Sequence, residues 1–252
     1  MKSALTLLAV LVVGTMVVTG QTPEQLFIQA NQLYQQERFG EARDAFESIV
    51  SAGYESGALY YNLGNTYYRS GNIAAAILNY ERARKFIPND DDLLHNLQLA
   101  NLMIADRIEP APRLFLWDYW KNVKDAFSLS GLTWLTYFVY VGAIGCICAV
   151  AIARTYRTRK VGAFGAIGSG MLFLILLVLL VAKVSDFARD DLAIVIVGVT
   201  TIKNSPDKQS TDAFVLHTGV KVQITDRVNE WVKIRLADGK VGWMEKTAGE
   251  VI

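Results

Sequence analysis

Between residues 23 and 108 the apolar positions fall three or four apart, the spacing of helices that bury one face, and the pattern returns after 34 residues. Ala30, Leu33, Phe39, Ala42, Phe46 and Ile49 recur as Gly64, Tyr67, Ile73, Ala76, Tyr80 and Ala83, and every pair stays small, apolar or aromatic. A period of this length predicts stacked helical hairpins over residues 23 to about 56 and 57 to 90, because one hairpin cannot bury its apolar face alone. Pro88 lacks the amide that a continuing helix needs, so it closes the second unit. Asn89 or Asp90 can accept the free amides of one further helix, expected to run to about Ile108 and to cap the stack. Leu94, Leu97, Asn101 and Ile104 continue the packing stripe weakly.

The stretch Glu109-Pro110-Ala111-Pro112 lacks helix propensity and separates this unit, 21–108, from a segment at 113–130. In that segment Leu116, Trp120, Val123 and Phe127 recur at helical spacing, and an aromatic-rich amphipathic helix ahead of a hydrophobic run suits the headgroup layer of a bilayer. Residues 132–153 and 161–182 then hold 22 positions each without a charge. At about 1.5 Å per residue each run crosses roughly 30 Å of hydrocarbon, which predicts two transmembrane helices. Gly162, Gly165 and Gly168 give the second a flat strip for close helix approach. Arg154, Arg157, Arg159 and Lys160 in the connecting 154–160 loop are expected to stay in the cytoplasm, which places both flanking regions in the periplasm. The first 20 residues agree: one Lys, no charge from Ala4 to Val18, and Val18-Thr19-Gly20 before Gln21 have the form of a cleaved secretory signal, with an uncleaved anchor as the alternative.

After Lys183 the chain becomes rich in β-formers. Ala193–Val197, Ala213–Leu216, Val220–Ile224, Trp231–Arg235 and Lys240–Trp243 are short runs between turn signals such as Asn204-Ser205-Pro206 and Asp238-Gly239. Five short strands over 190–252 predict a small barrel.

Composition narrows the function. With 52% hydrophobic residues and a mean hydropathy of +0.25, the chain is too apolar for an ordinary soluble protein. A net charge of +1 argues against nucleic acid as a partner, and residues 21–112 carry 12 acidic against 7 basic side chains. Cys146 and Cys148 both lie within the first span, so the extramembrane parts have no thiol for a disulfide or for redox chemistry. His95 and His217 fall in different modules, so neither a metal site nor a catalytic triad can be assembled from them, and no metal, cofactor or enzymatic activity is expected. Asp90-Asp91-Asp92 lacks the spaced oxygen ligands and turn glycine of a calcium loop and reads as a helix cap.

The helical repeats resemble the tetratricopeptide repeat family, with Ala30, Ala42, Phe46, Gly64, Ala76, Tyr80 and Pro88 on its packing positions. The resemblance implies a protein-binding groove lined by the first helix of each repeat, where Asn31 and Tyr34 recur as Asn65 and Tyr68. Tyr61 and Arg69 join that set, since an Arg among Asn side chains can hold a peptide backbone or a carboxylate, although Tyr34 and Tyr68 are equally able to pack between hairpins. Trp231-Val232, Asp238-Gly239 and Gly242-Trp243 resemble the closing strands of bacterial SH3-like domains, with Trp231 and Trp243 expected to be half-buried. The expected fold class is therefore a multi-domain membrane protein: an all-α tetratricopeptide-repeat solenoid, a two-helix transmembrane hairpin and a small all-β SH3-like barrel. In that order the parts resemble the BatE family of the Bat aerotolerance operons of Bacteroidetes and related bacteria. The resemblance implies a membrane-anchored periplasmic scaffold for von Willebrand factor A-type Bat partners and a MoxR-type ATPase. A cell-envelope sensor that binds peptidoglycan through the SH3-like module is the alternative.

Overall fold

The computed structural model describes residues 22–111, 115–188 and 191–252; the expected signal sequence lies outside them. Among the described residues five helices come first: α1 (Pro23–Gln35), α2 (Phe39–Ser51), α3 (Gly57–Arg69), α4 (Ile73–Phe86) and α5 (Asp91–Leu102). The starts of α1 and α3, and of α2 and α4, repeat the 34-residue period. Local chemistry sets these ends. Thr22, Ser56, Asn72 and Asp90 each accept an amide from the first turn of the following helix. Ala30, Ala42, Phe46 and Ala76 are fully buried between the hairpins. Gly64 lets two helices touch: a Cβ there would lie 2.6 Å from Cδ1 of Tyr80. Half-buried Pro88 follows the end of α4.

The capping helix is shorter than expected. It stops at Leu102, and residues 103–111 leave as an extended strap. The apolar residues that suggested more helix, Ile104 and Ile108, pack instead against two different cores, one helical and one β. A helical path would not deliver both, so tertiary burial overrides local periodicity.

Helix α6 (Phe115–Asp125) precedes α7 (Leu129–Ile152) and α8 (Tyr156–Phe187). Both α7 and α8 are long and apolar enough to cross a membrane. Their apolar side chains are bare, with Trp134 59%, Phe138 64% and Ile167 69% exposed, which is the reverse of a soluble core helix. The two helices pack as a hairpin. Gly162 and Gly165 sit against Val150 and Cys146, where added Cβ atoms would come within 2.8 and 3.1 Å, whereas Gly168 faces open space. The expected basic loop is mostly helix: Thr155 caps α8, so Arg157, Arg159 and Lys160 occupy its first turns and Arg154 the connecting turn. The N-terminus of α7 and the C-terminus of α8 emerge at the same end of the hairpin, and both flanking modules lie there.

The C-terminal module has seven strands: β1 (Leu192–Val195), β2 (Val199–Lys203), β3 (Asp212–His217), β4 (Lys221–Val228), β5 (Trp231–Arg235), β6 (Val241–Glu245) and β7 (Gly249–Val251). They form one antiparallel sheet in the order β3-β2-β6-β5-β4-β1-β7. The expected barrel is not closed, because the edge strands β3 and β7 pair with different neighbours. Edge strand β7 is covered by α4 of the repeats rather than by a ladder to β3. Arg82 donates to the Val251 carbonyl at 2.8 Å and Lys85 to the main-chain oxygen of Ile252 at 2.8 Å. Bulges after Ile202 and Ile224 curl the sheet around Val195, Ile202, Val222, Ile234 and Met244.

The helical and β modules share a core. Ile194 and Ile252 join Tyr60, Ile77, Tyr80 and Leu93 in one buried cluster. Arg82 pairs with Glu250 at 2.9 Å and Lys221 with the buried carboxylate of Glu81 at 2.8 Å. The strap adds three contacts. Asp106 accepts the His217 amide at 2.7 Å and lies 2.9 Å from His217 Nδ1. The Ala111 amide donates to Ala237 at 2.9 Å. Gly219, at φ +90°, leaves room for Ile104, whose Cγ2 lies 2.5 Å from where a Cβ would stand.

Candidate functional site

The first helices of the stack, α1, α3 and α5, lie side by side, and a line of amide and phenol side chains crosses them. Asn62 donates to Asn31 at 2.8 Å, linking α3 to α1. One repeat later Asn96 donates to Asn65 at 2.9 Å, linking α5 to α3. The two bonds are the same bond translated by one period. Asn65 also accepts from the Tyr80 hydroxyl at 2.7 Å, and Asn96 reaches the Tyr61 hydroxyl at 3.1 Å. Each helix contributes because residues three and four apart share its face, so Asn31 and Tyr34, Tyr61 and Asn65, and Asn65 and Tyr68 project together.

The aromatic residues of this face are close enough to sense one another. Tyr61 and Tyr80 have ring centroids 6.1 Å apart. Burial pushes the Tyr80 phenol well above its ordinary value, and the neighbouring phenols Tyr61, Tyr34 and Tyr68 add to the shift. Tyr34 is raised too, chiefly by burial and against the pull of the Arg69 cation. Its ring meets Phe39 edge-on at 5.4 Å. Arg69 stacks on the other side of that contact, 5.2 Å from the Phe39 centroid, and lies 3.9 Å from Glu37. All six residues singled out from the sequence therefore fall on one face: Asn31, Tyr34, Tyr61, Asn65 and Tyr68 half-buried and Arg69 exposed.

Their duties differ. Asn65 is engaged by a core phenol and by its neighbour asparagine, so it holds the stack together as well as lining the surface. Tyr34 combines both readings offered by the sequence, packing on Phe39 while keeping partial exposure. The ladder partners Asn62 and Asn96 lie outside the set expected from the sequence, although they too stand 34 apart. What remains on the face is a row of polar amides and phenol edges with one guanidinium, a surface suited to the backbone and carboxylates of an extended peptide. Among the described residues the β module docks chiefly on α4, a second helix, rather than on this first-helix face.

In the β module, Trp243 is buried and Trp231 half-buried. Lys233 Nζ lies 5.8 Å above the Trp243 ring. Gly242 is required where β6 crosses β2, since a Cβ would lie 2.3 Å from Ile202 Cγ2. These residues build the sheet.

Comparison with known families agrees with this architecture. The tetratricopeptide repeat family matches residues 29–91, and the bacterial SH3 domain family matches residues 198–249. No curated protein is significantly similar to the chain. Both matched families are typically non-catalytic interaction modules. The chain thus joins a tetratricopeptide-repeat module to a bacterial SH3-like module, with two helices able to cross a membrane between them.

Proposed function

We propose that the protein is a membrane-anchored scaffold whose repeat groove captures an extended segment of a partner protein. The observation that carries this reading is the asparagine and tyrosine row on α1, α3 and α5, repeated in register on helices other than α4, where the β module chiefly docks. The domain order supports a finer reading. The anchor would be the inner membrane, with Arg154, Arg157, Arg159 and Lys160 at the cytoplasmic tip and both modules in the periplasm after removal of residues 1–20. The partners would be other Bat proteins with von Willebrand factor A-type domains, in a BatE-like role in aerotolerance or oxidative stress.

The test is co-purification from detergent-solubilised membranes with Tyr68→Ala/Arg69→Ala, two groove residues that make none of the bonds linking α1, α3 and α5. Loss of a Bat partner with native circular dichroism is the expected result. Undiminished recovery of the partner refutes the groove. A second reading rests on the bacterial SH3 match: the β module would bind peptidoglycan or its stem peptides. Sedimentation of the full chain with purified murein, in detergent, separates the two, because the groove variant leaves murein binding intact.

A further inference from the structure

A cavity of about 410 Å³ opens on the second-helix side of the repeats, between α2, α3 and α4 and the edge of the β module. Its wall includes Leu63, Leu78 and Asn79, each 3% exposed, and, nearer solvent, half-buried Glu47 and exposed Glu250. Asn79 uses only half of its amide. Nδ2 donates to the Ala75 carbonyl at 2.8 Å, which settles the orientation of the group, because only the nitrogen can donate. Among the described residues Oδ1 has no hydrogen-bond partner. A buried acceptor without a donor is costly, and the cavity is the space beside it from which a donor can come.

The charges around the cavity say which kind of donor suits it. Tyr67 donates to Glu47, and Arg82 to Glu250 at 2.9 Å, each through one carboxylate oxygen. Arg82 is the single cation among the described lining residues. Arg43, which also acts on Glu47, bonds Asp44 through two nitrogens at 3.0 and 2.7 Å. Burial pushes the Tyr67 phenol well above its ordinary value, and the bond to Glu47 and the charges of Glu47 and Glu250 push it further, against the pull of Arg43. The space beside that phenol therefore disfavours negative charge. A water can donate to Asn79 Oδ1 but leaves this field as it is, whereas an ammonium brings a positive charge together with three N–H donors and no acceptor. We propose that the cavity binds a primary alkylammonium group, its donors directed at Asn79 Oδ1 and the Glu47 carboxylate, its alkyl chain against Leu63 and Leu78, and Glu250 adding attraction at the mouth. Because Glu250 belongs to β7, an occupied site holds the β module on the repeats. None of the six groove residues lines the cavity, so this site is independent of partner capture.

The test is isothermal titration of the full chain in neutral detergent, against a detergent blank, with four probes: pentylammonium, pentyltrimethylammonium, 1-pentanol and Nα-acetyl-lysine methylamide. Pentylammonium and the lysine amide bind saturably and 1-pentanol does not. The trimethyl compound, which has the charge but no N–H, binds at least about tenfold more weakly than pentylammonium. Tighter binding of the lysine amide assigns the site to a lysine side chain on a peptide, and tighter binding of pentylammonium assigns it to a free amine. Asn79→Leu, close in volume, removes the acceptor, and Glu47→Gln removes a charge while still accepting from Tyr67; each weakens pentylammonium binding at least about tenfold. Glu41→Gln, on the exposed Arg38 pair of the same region, leaves it unchanged. Equal affinity for pentylammonium and 1-pentanol, no saturable heat with either amine, or full pentylammonium affinity in Glu47→Gln overturns the proposal and leaves the cavity to water.

Discussion

Replacing Asn65 separates the structural duty of the asparagine row from its binding duty. In Asn65→Ala the Tyr80 hydroxyl, on a side chain only 1% exposed, loses its acceptor inside the core. A buried donor left unpaired costs about 1–3 kcal/mol. Asn96 loses its 2.9 Å bond as well but still reaches Tyr61, so this second loss adds about 1 kcal/mol at most. The expected destabilisation is thus about 1–4 kcal/mol, concentrated in α3, α4 and α5. Tyr80→Phe removes the orphaned hydroxyl, so Asn65→Ala on that background should cost about 1–2 kcal/mol less, a coupling that a double-mutant cycle isolates. Hydrogen exchange of the full chain in detergent reads this locally, where one unfolding free energy for several modules would be ill defined. Amides inside α3 and α4 that exchange through opening of the repeat should speed up about thirtyfold for a loss of about 2 kcal/mol. Exchange in Asn65→Ala indistinguishable from the parent, or an equal cost on the Tyr80→Phe background, would refute the assignment of Asn65 to the core network.

Three further expectations concern docking, pH and topology. Gly219→Ala puts a Cβ 2.5 Å from Ile104 Cγ2 at φ +90°, so residues 103–111 should lift from the β module and be cut faster in limited proteolysis; adding Ile104→Ala should restore part of the protection. Burial and the bond to Glu55 push the Tyr60 phenol from 10.0 up to about 12. Since the unfolded chain ionises first, stability that is intact below pH 10 should fall between pH 10 and about 12. Tyr60→Phe should flatten part of that fall, Tyr67 and Tyr80 being shifted in the same direction. A reporter enzyme fused after Ile252 should be active only outside the cytoplasm, and cytoplasmic activity would remove the proposed orientation.

Much of the candidate site could be read in the chain because repetition exposes it. Asn31 and Tyr34 stand out only through Asn65 and Tyr68 one period later, and the same comparison would have found Asn62 and Asn96. The two strands not expected from the sequence, β2 and β7, have weak local signals. In β2 only Ile202 is buried, and β7 is three residues long. Strand β7 owes its place to α4, a helix more than 150 residues earlier.

By itself, then, the sequence determined the helical hairpins, their period, the two membrane-length helices and the β-rich character of the last 60 or so residues, because periodicity, caps and uncharged runs act over a few turns of chain. Only the tertiary structure decided that the sheet stays open, that α5 gives way to a strap at Leu102, and that the repeats and the β module share one core. Those outcomes depend on pairs such as Glu81 with Lys221 and Asp106 with His217, more than 100 residues apart, which meet through burial and leave no local pattern.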